Sequence, residues 1–191
     1  MLYNIIKLDS VDSTNLWARK NLSKLKNFDC VSADIQTAGH GQFERKWFST
    51  SLNGGNIYLS IVLKPDNIEH LNELTRYTSI IVSNVLKKYN LNPDFKFPND
   101  VLINGKKISG ILAESVFIGS ELKGVIVGIG INLNLDSTEL QNIDIEATSV
   151  FNEINKPVDK QSFLNEFLDE FFNNYEDFIK NGIQELNYVK N

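Results

Sequence analysis

The sequence predicts an α+β fold, a mixed, largely antiparallel sheet packed with helices, and three observations carry that expectation. Asn104-Gly105 lies between two apolar runs, a strong short hairpin signal because both residues tolerate positive φ. From Asn56 to Leu63, Ile57, Leu59, Ile61 and Leu63 alternate with Tyr58, Ser60 and Val62, the period of a strand buried on at least one face. Ile68 to Tyr89 and Phe163 to Ile179 carry apolar residues three and four apart, the period of helices laid on a core.

The elements follow in order. Leu2 to Leu8, broken by Asn4 and Lys7, reads as an opening strand. Asp12-Ser13-Thr14-Asn15 then offers capping side chains to a helix over Leu16 to Leu25. Phe28 to Ile35 returns to strand character and runs into a glycine-containing loop. Gly54-Gly55 introduces the alternating strand, and Pro65 stops it. Leu71, Leu74, Tyr77, Ile80, Ile81, Val85 and Leu86 mark the long core helix of Ile68 to Tyr89. Pro98 removes a ladder donor after Phe95-Lys96-Phe97, which predicts that pairing ends there and leaves Asn99 and Asp100 at an edge. Val101 to Ile103 turns through Asn104-Gly105 into Lys107 and Ile108, and Ile108 to Ile118 pairs with Glu121 to Asn132 across Gly119-Ser120. Thr138 to Thr148 is polar and irregular. Phe163, Leu164, Phe167, Leu168, Phe171, Phe172, Tyr175, Phe178 and Ile179 form a stripe read as core. No repeat, low-complexity tract or linker appears, so residues 1–191 are read as a single domain.

Composition narrows the functional classes. At 191 residues, 42% hydrophobic and 23% charged, the chain is long enough to bury a full core. A net charge of -5 and a pI near 5.1 give no electrostatic footprint for a nucleic acid or a membrane surface. Cys30 alone cannot form an internal disulfide, and no Cys/His cluster exists to hold zinc, so no resident metal is expected and a reducing compartment fits. The longest apolar run, Val125 to Ile131, is too short to span a bilayer. A cytoplasmic protein with neither nucleic-acid nor membrane partner is the expectation.

Four segments carry chemistry-bearing residues. Thr37-Ala38-Gly39-His40-Gly41-Gln42-Phe43-Glu44-Arg45-Lys46-Trp47 is a Gly-x-Gly loop ending in a basic pair and an aromatic, and its glycines would let backbone N–H groups approach an anion. Lys96-Phe97-Pro98-Asn99-Asp100 joins a lysine, an amide and a carboxylate. Lys107 leaves the hairpin ahead of Ser109 and Gly110. Gly128-Ile129-Gly130-Ile131-Asn132 ends a strand where backbone and a flat ligand could meet closely. The first three each have an ordinary reading by themselves: a flexible connection, a surface turn, a snorkelling edge lysine.

Taken in order, these segments, with Asp12 to Asn15, Gln36, Asn56-Ile57-Tyr58-Leu59-Ser60, Ile111-Leu112, Glu114 and Ala147-Thr148-Ser149, resemble the catalytic domain of biotin protein ligases. The resemblance runs from about Asp9 to Ser149. It implies a class II aminoacyl-tRNA synthetase-like, biotin/lipoate ligase catalytic fold and a reaction in two steps. Biotin carboxylate attacks the α-phosphate of ATP, giving biotinyl-5'-AMP and pyrophosphate, and a lysine of a biotin carboxyl carrier protein, or the biotin acceptor domain of a carboxylase, then takes the biotinyl group. Mg²⁺ is expected with the triphosphate.

By the same resemblance Lys107, Asp100 and Arg45 are the catalytic candidates. Lys107 would stabilise charge on phosphorus oxygens, and Asp100 would orient the incoming amine. Ser13, Thr14, Asn15 and Gln36 would line the biotin ureido ring, with Gly39, His40, Gly41, Gln42, Lys107 and Gly110 also against biotin. Trp47, Asn99, Asn132 and Lys107 would lie on the nucleotide side. A homodimer is left open.

Three departures from the family pattern are visible. The loop usually reads Gly-Arg-Gly-Arg-x-x-Arg, whereas His40 and Gln42 replace the first two arginines and Arg45 remains, which predicts weaker retention of the adenylate. A helix-turn-helix segment ahead of the motifs and a small β-barrel domain after the last helix, both found in relatives, are expected to be lacking. Two other readings stay open: a lipoate or octanoate ligase-like acyltransferase, and a non-catalytic biotin-binding module.

Overall fold

The computed structural model describes residues 2–42, 45–50 and 54–183. Its sheet contains seven strands: β1 (Asn4–Val11), β2 (Asp29–Gln36), β3 (Asn56–Leu63), β4 (Pro93–Lys96), β5 (Asp100–Ile103), β6 (Lys106–Ile118) and β7 (Glu121–Asn132), in the spatial order β1-β2-β3-β7-β6-β5-β4. Every neighbouring pair is antiparallel except β1 and β2, which run parallel because α1 (Thr14–Lys20) crosses between them. The remaining helices are α2 (Leu74–Lys88), α3 (Ser137–Leu140), α4 (Val150–Ile154) and α5 (Lys160–Asn181).

β3, an interior strand, is buried along its whole length, so both faces of the sheet are covered there. Its alternation divides the molecule. Ile57, Leu59, Ile61 and Leu63 join Tyr77, Ile81 and Val85 of α2 and Phe163, Phe167 and Phe171 of α5 in the main core. Val62 turns the other way, into a smaller cluster with Ala18, Leu22, Leu25, Val31 and Ile126 beneath α1. Ser60 shares that second face, and there it meets α1 through hydrogen bonds.

The two hairpins follow the turn chemistry read from the chain. Asn104 and Gly105 both adopt positive φ, 51° and 78°, and Gly119 does so at 61°. Boundaries differ where side chains compete with the backbone. α1 ends at Lys20, not at Leu25, because the Asn21 amide donates to Trp17 O at 2.9 Å and the chain leaves the helix in a turn that still delivers Leu22 and Leu25 to the core. The helix expected from Ile68 starts at Leu74, after a 3₁₀ turn over Leu71–Glu73. Asn67 Oδ1 accepts from Glu69 N there, and Ile68 is exposed. Within the irregular Thr138 to Thr148 stretch only the short α3 and an isolated bridge from Ala147 to Lys107 are regular.

One expectation about the edge is overturned. Pro98 follows a cis peptide bond and does end β4, but the chain reverses at once and Asp100 opens β5, paired with Lys96 on one side and Gly110 on the other. The exposed edge is β4; Asp100 lies inside the sheet. Turn and strand differ by only a few residues there, and the sequence pattern does not reveal that β4 and β5 pair with each other.

Candidate functional site

Alternation along the strands sets one floor. Tyr58, Gly130, Gly110, Asp100 and Lys96 are successive cross-strand partners on β3, β7, β6, β5 and β4, so their side chains share a face. Two members are glycines, and Trp47 fills the space they leave. A Cβ on Gly130 would stand 2.5 Å from the Trp47 Cε2 and Cζ2 atoms, and one on Gly110 would stand 2.9 Å from Cζ3. The glycine floor that the sequence suggested for a flat ligand is therefore covered by the protein's own indole, whose buried Nε1 has no hydrogen-bond partner among the described residues.

Lys107 should point away from this floor, since it is three residues from Gly110 and a regular strand alternates. A register shift corrects it. Val101 pairs with Ser109 but Leu102 pairs with Lys107, so Ile108 is an extra residue in β6 and Lys107 is turned to the face of Gly110. A Cβ on Gly110 would lie 3.1 Å from Lys107 Nζ. The ammonium is 2.7 Å from Asp100 Oδ1 and 5.4 Å from the centre of the Trp47 ring, with both charged side chains 18% exposed. The contact with Asp100 is an ion pair and not an aligned hydrogen bond. The bulge is the feature that sequence reasoning missed, because it depends on how β5 and β6 register against each other.

The polar wall beside the floor comes from α1, β2 and β3. Ser13 caps α1, its Oγ accepting from Leu16 N at 3.5 Å. Gln36, the last residue of β2, accepts from Thr14 N at 2.8 Å through Oε1. A Cβ on Gly39 would lie 2.8 Å from its Nε2, so the amide nitrogen faces the glycine loop. Ser60 Oγ lies 2.8 Å from Thr14 Oγ1 and donates to Asn15 Oδ1 at 2.6 Å. Asn15 Nδ2 donates to Glu114 Oε2 at 2.8 Å. Ser13, Thr14, Asn15, Gln36 and Ser60 are all buried.

The loop closes on itself. Trp47 N donates to Gly39 O at 2.9 Å, Gly41 N donates to Arg45 O at 2.6 Å, and His40 bridges Lys46. Arg45 is exposed, and Gln42 is half-buried; Phe43 and Glu44, part of the motif, lie outside the described residues. Asn132 Nδ2 donates to Thr148 O at 3.0 Å, and the backbone of Lys107 bonds Glu146 O and Thr148 N, so this amide ties the Ala147 segment to β6. Asn99 lies in the turn before β5, where its carbonyl accepts from Ile111 N at 2.9 Å. The geometry thus joins Lys107, Asp100, Trp47 and Gly110 on the floor and Ser13, Thr14, Asn15 and Gln36 in the wall, with Arg45 standing apart. Among the described residues no group of three His, Cys, Asp or Glu side chains could hold a metal, and no helix is long and apolar enough to cross a membrane.

Comparison with known proteins identifies the family of the chain and its fold. The model of the biotin/lipoate A/B protein ligase family matches residues 6–132. Over 158 residues the chain is 36% identical to the bifunctional ligase/repressor BirA of Bacillus spizizenii, covering 80% of this chain and 47% of the relative. It is 32% identical over 168 residues to a biotin–[acetyl-CoA-carboxylase] ligase of Paracoccus denitrificans, 82% of this chain and 67% of that one. The solved structure of biotin protein ligase from Aquifex aeolicus in complex with biotin and ATP superposes with a TM-score of 0.81 at 30% identity, over 96% of this chain and 75% of that chain. The chain spans about half the length of the BirA relative.

Proposed function

The chain belongs to the biotin/lipoate A/B protein ligase family, and on that basis we propose that it activates biotin with ATP to biotinyl-5'-AMP and passes the biotinyl group to a lysine of a biotin carboxyl carrier protein. The observation that carries this reading is the Lys107–Asp100 pair, 2.7 Å apart on the glycine floor and set beside a buried amide and hydroxyl wall. A cyclic urea offers one acceptor and two donors, and Gln36, Ser13 and Thr14 supply groups of both kinds.

In the first step a biotin carboxylate oxygen bonds to the α-phosphorus and the bond to pyrophosphate breaks. Charge builds on phosphorus oxygens, and Lys107, held in place by Asp100 and by packing on Gly110, is the fixed cation for it. Mg²⁺ would enter with ATP, bound mainly by phosphate oxygens. In the second step a neutral lysine amine attacks the acyl carbon, AMP leaves, and the amine sheds its proton. Asp100 is the carboxylate on the floor suited to orient that amine. Trp47, now on the floor, would move onto the nucleotide side as the ligand takes its place.

The test is ATP–pyrophosphate exchange driven by biotin, with lipoate as the competitor, followed by transfer of label to a carrier domain. Exchange with biotin and transfer to carrier support the reading. Exchange with lipoate alone selects the acyltransferase alternative, and binding without exchange selects a non-catalytic module.

A further inference from the structure

Glu114 lies on the same face of β6 as Gly110, and neither step of the proposed reaction uses it. Its Oε2 accepts from Asn15 Nδ2 at 2.8 Å and stands 3.8 Å from His40 Nε2, with both His40 and Glu114 side chains 28% exposed. Asn15 has no freedom to turn. Its Oδ1 accepts from Ser60 Oγ, its Nδ2 also reaches Leu112 O at 3.3 Å, and a Cβ on Gly128 would collide with it at 2.5 Å. The Glu114 carboxylate is thereby held as a fixed acceptor between a buried wall and the glycine loop. On the other side, His40 is anchored in the loop through its bridge to Lys46 and its place beside Gly39, whose carbonyl accepts from Trp47 N.

We propose that Glu114 is a positioning residue: fixed by Asn15, it holds the glycine loop at His40 and so sets Gly39 and Trp47 against the wall formed by Gln36 and Thr14. The loop's hold on Glu114 is made by a histidine, which is strong only when the imidazole carries charge. An arginine at position 40 would make the same contact permanent. The inference rests on the biotin-activating reading for its kinetic arm and on geometry alone for its proteolytic arm.

The experiment compares wild type with Glu114→Gln, His40→Ala, the double variant and His40→Arg in two measurements: KM for biotin in pyrophosphate exchange, and the rate of tryptic cleavage after Arg45 and Lys46. Glutamine keeps an acceptor for Asn15 while removing the charge, so the fold is retained, as thermal melting checks. Glu114→Gln and His40→Ala should each raise KM for biotin by up to about fivefold, more than they lower kcat, the scale of one partly exposed ion pair. Both should speed cleavage, and the double variant should match the singles. His40→Arg should lower KM and slow cleavage, and Glu114→Gln should cancel both gains. Additive effects in the double variant, or unchanged KM and cleavage in Glu114→Gln, overturn the proposal. Wild type without biotin-driven exchange rejects the functional reading instead, while the cleavage rates still judge the anchor.

Discussion

At the scale of single residues, the site depends on two side chains that the backbone leaves little freedom. Lys107 reaches the floor because Ile108 is bulged, and Asp100 then holds its ammonium at 2.7 Å. Lys107→Ala should therefore lower biotinyl-adenylate formation by on the order of 10²-fold or more while biotin affinity changes far less. Pyrophosphate exchange and calorimetric titration read the two quantities separately, and near wild-type exchange would remove Lys107 from the mechanism. Gly130 makes a different point. Its missing Cβ is the space occupied by the Trp47 ring, so Gly130→Ala must push a rigid indole outward at a cost of roughly 1–3 kcal/mol. In a Trp17→Phe background the emission of Trp47 should shift toward that of a solvated indole, and an unchanged spectrum would mean the ring does not rest there in solution.

At the scale of elements, the seam between α2 and α5 separates two buried tyrosines by their hydroxyls alone. Tyr77 stacks on Phe178 with ring centres 4.2 Å apart and donates its hydroxyl to Phe171 O. Tyr175 also packs in the seam, yet its buried hydroxyl has no hydrogen-bond partner among the described residues. Tyr77→Phe should cost about 1 kcal/mol by removing the hydroxyl's hydrogen bond to the Phe171 carbonyl, whereas Tyr175→Phe should leave stability equal or raise it by about 1 kcal/mol. Urea midpoints of the two variants test this. A loss in Tyr175→Phe as large as that in Tyr77→Phe would show that its hydroxyl is paired in solution.

At the scale of the whole molecule, burial makes the fold sensitive to alkali. Burial, reinforced by the hydrogen bond to Asp169, pushes Tyr3 up to about 12, and burial with Glu166 nearby pushes Tyr89 up to about 12. Burial drives Tyr77, Tyr175 and the Cys30 thiol higher still. All five hold their protons more tightly when folded. Their contribution is therefore complete below the unfolded values, about 9 to 10, and is lost as pH rises toward the folded ones. The urea midpoint should stay level from pH 7 to 9 and fall steeply above pH 10, and a level midpoint through pH 11.5 would contradict the burial described. This sensitivity belongs to the core that supports the sheet, and the site on the opposite face depends on it only through the strands.

Local signals in the chain were enough for the parts that depend on near neighbours. Alternation identified β3 and which of its residues share a face, Asn104-Gly105 specified a turn with positive φ, and three-and-four spacing identified α5. The ordered motifs supplied the candidates, of which the fold gathers Lys107, Asp100, Trp47 and Gly110 on one face and Thr14, Asn15 and Gln36 beside it. What the chain could not disclose is how strands register with one another. That Asp100 lies inside the sheet, that Ile108 is bulged so Lys107 turns toward Gly110, that Glu114 and His40 meet beside Asn15, and that Trp47 covers Gly130 are all contacts between distant segments. Periodicity records only which side of each element is apolar. The packing of the sheet against α1, α2 and α5 decides which strands are neighbours and which residue faces which, because burial of those apolar faces is the strongest force driving the chain together and it acts between segments far apart in sequence.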